Sequence, residues 1–189
     1  MAIFLHWMLA SFWIRWGLPM PGETIIAIDP ALRSTGYAIL TRSGQRTKTL
    51  AYGVVRNAAS LPLSGCLLAI REQLADLIRL HTPTTMAVEG IIYVQSYRTA
   101  ITLGAARGAA ILAAAERGLP VFEYAPRRIK QAVVGRGAAD KQQVAFMIRA
   151  LLGLTETPSA DAADALAIGL THFQSHDAAV ARKTPLVKI

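Results

Sequence analysis

The chain has 189 residues, 53% of them hydrophobic, enough to bury the core of one compact domain, and no internal repeat divides it. Twenty Lys and Arg against twelve Asp and Glu give a formal net charge of +8, which points to a polyanionic partner, with plain solubility as the other use of such a charge. A lone Cys66 excludes an internal disulfide framework and an all-cysteine metal site, and it fits a reducing cytoplasm.

The chain opens on MAIFLHWMLASFWIRWGLP, in which three Trp and two Phe are interrupted only by His6 and Arg15 among charged or titratable groups. Crossing a membrane takes about 20 apolar residues, and this run carries a charge near its end, so a membrane role is not expected. It also lacks the positive n-region and small-x-small site of a secretory signal. Residues 1–19 are therefore read as an extension outside the fold, ahead of a second start at Met20; an interfacial anchor is the competing reading. The domain proper is expected over residues 20–175.

TIIAID (24–29), GYAILT (36–41) and LAYGVV (50–55) are short apolar runs separated by turn residues, and they predict three adjacent strands in an antiparallel meander. Apolar residues at helical spacing from Leu61 to His81 predict a helix, TPTT ends it, and MAVEG (86–90) reads as a buried strand ending on Glu89. Gln95 to Gly118 reads as a long Ala-rich helix stopped by RGLP. A short strand in LPVFEYAP, a short helix opened by Pro126, a basic Gly-rich loop GRGAAD and a helix KQQVAFMIRALLG closed by Gly153 follow. A final helix starts after Pro158, and residues 176–189 are expected to form a flexible basic tail. A meander followed by alternating strands and helices argues for an α/β domain with a mixed central sheet flanked by helices.

The last helix opens on PSADAADALAIGL, where Asp161 and Asp164 stand at i and i+3, on one face, with Ser159 available as N-cap. One acid in a first turn complements the helix dipole, and that alone is one explanation for Asp161. However, Leu166, Ile168 and Leu170 leave little polar face for these acids to join, and two strands also end on acids, Asp29 and Glu89. Acids at strand ends in an α/β sheet sit where ligands bind. Four carboxylates within a few ångströms repel one another, and a divalent cation removes the conflict. Hard oxygen ligands without a His or Cys pair suit Mg²⁺, with Mn²⁺ as a substitute, rather than Zn²⁺. Two such ions are the usual apparatus for phosphodiester hydrolysis.

IDPALRSTGYAIL, AVEGIIYVQSYRTAITLGAARGAAILAAAERGLPVFEYAPRRIKQAVVGRG and PSADAADALAIGL resemble, in order and spacing, the RuvC-type Holliday junction resolvases of bacteria. The likeness covers residues 24–174 and includes EYAPRRIKQAVVGRGAADKQQV, a block with no catalytic acid. The resemblance implies a ribonuclease H-like fold, a homodimer, and paired symmetric nicks in four-way DNA junctions during recombination and repair, in concert with the branch-migration proteins RuvA and RuvB. It puts Asp29, Glu89, Asp161 and Asp164 on the family's metal-binding and catalytic acids. Lys130 and Lys141 fall on positions the family uses for DNA binding and catalysis.

Arg127, Arg128, Lys130, Arg136 and Lys141 cluster across the short helix and the Gly-rich loop, and each phosphate they neutralise adds about 0.9 to the salt slope of DNA binding. Arg98 and Arg107, on the Ala-rich helix, are further candidates for DNA or for a second subunit. That helix, with Leu103, Ile111 and Leu112 beside small residues, is the candidate dimer seam, and packing onto the sheet is its alternative. GRGAADK lacks the spacing of a nucleotide-binding loop, so no small-molecule cofactor is expected. A metal site or proton relay is one reading of His81, His172 and His176, with His172, eight residues past Asp164, able to reach the site's edge; surface placement, more usual for a helix-end histidine, is the preferred reading.

Two positions depart from the family pattern. Ala31 stands where Gly is usual, at a cost of about 1 kcal/mol if the backbone has positive φ there. Ile92 stands where many members carry a Phe that stacks on an unpaired base, an interaction of about 1–3 kcal/mol, with Tyr93 adjacent as a possible substitute. These departures motivate a second reading, a catalytically weak or silent junction-binding protein; an RNA-processing nuclease of the same broad fold is the third. Ile92→Phe is expected to increase junction cleavage, and an unchanged cleavage rate in that variant refutes the stacking argument.

Overall fold

The computed structural model describes residues 22–91, 96–135, 140–182 and 188–189. Strand β1 (Glu23–Asp29) is followed by β2 (Ser34–Ser43), β3 (Arg46–Arg56), helix α1 (Leu63–His81), β4 (Thr85–Glu89), α2 (Tyr97–Ala115) and β5 (Val121–Tyr124). Three helices complete the chain: α3 (Pro126–Val134), α4 (Lys141–Leu152) and α5 (Ala160–Arg182). The sheet order is β3-β2-β1-β4-β5, with β1–β2 and β2–β3 antiparallel and β1–β4 and β4–β5 parallel. This is the expected mixed sheet with an antiparallel meander.

Strand β1 is central, and Ile25 to Ile28 are wholly buried, as a strand covered on both faces requires. Side chains alternate between faces, so Ile25 and Ala27 join a core with Leu166, Ile168 and Phe173 of α5 and with Ile129, Val144 and Ile148 of α3 and α4. Ile26 and Ile28 face the opposite core, built with Ile70, Leu74 and Ile78 of α1 and Ala106, Ala110 and Ala113 of α2. Asp29 continues the first of these alternations and therefore lies on the α5 face of the sheet.

Two glycines let α5 lie hard against β1 and β2. A Cβ on Gly36 would stand 2.0 Å from the carbonyl oxygen of Asp161, and one on Gly169 would stand 2.4 Å from Leu40 Cδ1. Gly36 is the ladder partner of Asp29, so the missing side chain brings the first turn of α5 directly beside that acid. The site is thus assembled by backbone contact.

The boundaries differ from the sequence expectation in two places. Helix α2 runs Tyr97–Ala115 and stops short of the expected end at Gly118, while Gln95 lies outside the described residues. Helix α5 continues to Arg182, so the boundary expected at 175 falls inside it. Arg42 from β2 accounts for part of that length: its Nη1 donates to the Phe173 carbonyl at 3.1 Å and pairs with Asp177 at 2.8 Å. Residues 1–19 lie outside the described residues. Gly36→Ala is expected to cost about 1–3 kcal/mol or more in urea unfolding, because the added methyl meets backbone rather than a yielding side chain.

Candidate active site

Each acid reaches the site by a separate structural route. β1 and β4 run parallel with Ile28 opposite Val88, so their last residues, Asp29 and Glu89, stand side by side. Asp161 lies in the first turn of α5, over Gly36, and Asp164 follows one turn later. Lys141 is the first residue of α4, a start set by a capping box in which Asp140 accepts from the Gln143 N–H at 2.8 Å. Its Nζ donates to Asp164 Oδ2 at 3.3 Å.

The electrostatics carry the conflict anticipated from the sequence. Burial, with the charges of Glu89 and Asp164, pushes the Asp29 carboxyl up to about 8. Burial also raises Glu89, with Asp164 adding to it, while a hydrogen bond from Asp29 and the nearby Lys141 and Lys130 charges oppose the rise. The two carboxyls therefore titrate as a pair, with burial raising the proton affinity of both. Asp164, with Asp29 and Asp161, in turn holds the Lys141 ammonium above its usual range.

Among the described residues, no three His, Cys, Asp or Glu side chains converge as a ready-made metal cage. Asp161 Oδ2 accepts a hydrogen bond from Ser34 Oγ, and Asp164 is paired with Lys141. The donor set nonetheless fits a hard divalent cation. It is all carboxylate oxygen, and burial with neighbouring like charge raises the proton affinity of Asp29 and Glu89, a conflict that a divalent cation removes.

The basic candidates divide. Lys130 is half-buried and close enough to Glu89 to lower its proton affinity. Arg127 is exposed and lines a groove of about 370 Å³ with Pro30, Glu89, Gly90, Leu103 and Pro126. Arg128 instead donates to Ser175 Oγ at 3.0 Å, away from the acids. Arg107 is paired with Glu123, whereas Arg98 is exposed. Arg136, Ile92 and Tyr93 lie outside the described residues.

Two further expectations are revised, and the residues of the candidate dimer seam are placed. Ala31 has no positive φ, since Thr82 alone shows one among the described non-glycine residues, and its carbonyl accepts from the buried Thr35 hydroxyl at 2.6 Å. Alanine fits that turn without backbone strain. His172 is not on the surface: it is 1% exposed, hydrogen-bonded through Nδ1 to the Tyr124 hydroxyl at 2.9 Å, with Nε2 3.7 Å from Glu23 at the opposite end of β1. Of the three apolar residues named for a dimer seam, Ile111 packs on the core, Leu103 lines the groove and Leu112 is exposed.

Sequence reasoning missed Ser34 and Gly36. Both act on a helix more than 120 residues later in the chain, and no local pattern in STGY signals that contact.

Known proteins resemble this chain in both sequence and fold. Residues 25–172 match the family model described as crossover junction endodeoxyribonuclease RuvC. A crossover junction endodeoxyribonuclease RuvC from Akkermansia muciniphila is 59% identical over 153 residues, covering 81% of this chain and 92% of that protein. One from Bradyrhizobium diazoefficiens is 49% identical, covering 82% of this chain and 89% of its own. The solved structure of Thermus thermophilus RuvC in complex with Holliday junction substrate superposes with a TM-score of 0.78 at 32% identity, over 88% of this chain and 99% of the other. With sequence and fold in agreement, the chain belongs to the crossover junction endodeoxyribonuclease RuvC family.

Proposed function

We propose that this protein is a Holliday junction resolvase, an endonuclease that makes paired symmetric nicks in four-way DNA junctions during recombination and repair. The observation that carries the reading is the meeting of Asp29, Glu89 and Asp164 with Lys141 at one end of the sheet, beside Asp161. The RuvC family is one of metal-dependent nucleases. Asp29, Glu89, Asp161 and Asp164 are the residues that would hold Mg²⁺, two ions per site, with Mn²⁺ able to substitute. When bound, the metal supplies an activated water and charge neutralisation at the leaving oxygen.

The chain's own residues do the rest. Asp29 and Glu89, whose raised proton affinities oppose ionisation in the metal-free site, would hold the metal as carboxylates. Lys130 and Arg127, flanking Glu89, hold the scissile strand's phosphates. Lys141 exchanges its pairing with Asp164 for the phosphate on which charge develops. A homodimer would present two such sites to the two equivalent strands of a junction. The proposal extends to cooperation with RuvA and RuvB and to a cytoplasmic location; no helix among the described residues is long and apolar enough to cross a membrane.

Ala31 does not support a silent junction-binding protein, because the turn it occupies is unstrained. The raised proton affinities of Asp29 and Glu89, to each of which burial and the Asp164 charge contribute, also argue for a metal-loaded site.

A labelled mobile four-way junction, compared with linear duplex and with an RNA–DNA hybrid, tests the reading. Paired nicks in the junction alone are expected with Mg²⁺ or Mn²⁺ and not with EDTA, and Asp161→Asn is expected to slow them on the order of 100-fold or more. Tight metal-independent binding without nicks overturns the nuclease reading.

Stability in EDTA should carry the mark of Asp29. Its carboxyl titrates at about 8 when folded against a usual 3.8, so the folded state binds the proton more tightly and loses stability as pH rises between those values. Asp29→Asn is therefore expected to raise the metal-free Tm at pH 8 by about 2–4 °C or more, and to flatten its fall between pH 5 and 8 in thermal melts.

A further inference from the structure

The structure assigns Ser34 a part in the reaction: we infer that it is the positioning residue for Asp161, holding one carboxylate oxygen so that the other faces the strand-end acids. The inference rests on the metal-dependent reading above.

Asp161 is tied to β2 twice. Its backbone carbonyl lies against Gly36, where a side chain would stand 2.0 Å away, and this sets where the first turn of α5 sits. Its Oδ2 accepts from Ser34 Oγ, and this sets the rotation of the carboxylate. Ser34 and Gly36 are two residues apart on one strand and so share a face, and Gly36 is the ladder partner of Asp29. The hydroxyl, the helix turn and Asp29 therefore lie on the same side of the sheet.

A carboxylate has two oxygens, and a serine hydroxyl has one proton to donate. A bond from Ser34 to Oδ2 leaves Oδ1 free, fixes its direction and withholds no ligand. Without that bond the carboxylate has two competing partners. A first-turn acid can fold back onto the unpaired N–H groups of its own helix. It can also turn toward the Lys141 ammonium, which already senses the Asp161 charge. The other helix acid has no such anchor: Asp164 is held by Lys141, whose side chain is 71% exposed on a flexible stem. Asp161 is thus the rigid pole of the helix pair. Groups that orient a metal-binding carboxylate in this way commonly change metal affinity by about 10–100-fold.

The test measures Mn²⁺ binding to the full-length protein by electron paramagnetic resonance, in wild type, Ser34→Ala, Ser34→Thr and Asp161→Asn, together with metal-free Tm. Ser34→Ala is expected to weaken Mn²⁺ affinity about tenfold while the metal-free Tm stays near wild type, and Ser34→Thr, which keeps the hydroxyl, restores binding. Unchanged or tighter Mn²⁺ binding in Ser34→Ala, alongside weakened binding in Asp161→Asn, overturns the role of Ser34 and leaves the metal site standing. Failure of Ser34→Thr to restore binding overturns it as well. Unchanged Mn²⁺ binding in Asp161→Asn overturns the metal reading beneath it.

Discussion

The close approach of α5 to the β1–β2 pair is the constraint on which the site depends. Two of the four acids belong to strands and two to this helix, and they meet because Gly36 and Gly169 remove the side chains that would hold helix and sheet apart. Protein interiors transmit such displacements with little compliance. A shift of one ångström at Gly36 would move Asp161 relative to Asp29 by a comparable amount, and reactions that depend on positioning lose rate steeply over such distances. The burial of α5 residues Ala162, Ala163, Ala165, Leu166, Ala167 and Ile168 serves the same end. Small and apolar side chains allow the helix to press onto the sheet along its length.

That mechanical arrangement creates an electrostatic conflict. Desolvated carboxylates near one another cannot all be ionised without compensation. In the metal-free site compensation is local: burial and neighbouring charge raise the proton affinity of Asp29, Lys141 pairs with Asp164, and Ser34 donates to Asp161. Each of these arrangements can be undone without unfolding anything, by loss of one proton or rotation of one side chain. The far end of α5 follows different rules. There His172 is enclosed by Phe122 and Phe173 and bonded to Tyr124, and Arg42 joins Glu23 to Asp177. One helix is thus locked at one end and left with exchangeable partners at the other.

Much of this was legible in the chain itself. Period-2 runs and the turn residues between them identified the meander, and the apolar runs ending on Asp29 and Glu89 identified strands that deliver acids to one edge. The i, i+3 spacing of Asp161 and Asp164 fixed their common face, because helical geometry is local. The excess of Lys and Arg indicated a polyanion. The ordered motifs carried the family likeness over residues 24–174, and the match over residues 25–172 agrees with it.

What only the tertiary structure decided is the identity of each group's partner. Ser34 and Asp161 are 127 residues apart, and His172 and Tyr124 are 48 apart, so no window of sequence contains either pair. His172 read as a surface residue because local pattern cannot see Phe122 and Phe173 closing over it. Arg128 and Lys130 are neighbours on one short helix, yet Arg128 bonds to Ser175 while the Lys130 charge acts on Glu89, because residues two apart lie on different faces of a helix. Sequence alone determined which residues can ionise, donate or bend the backbone, since those are properties of single side chains and their near neighbours. Which of them meet was determined by the packing of α5 on the sheet, because burial and Coulomb energies depend on distances in space that the chain settles only when it folds.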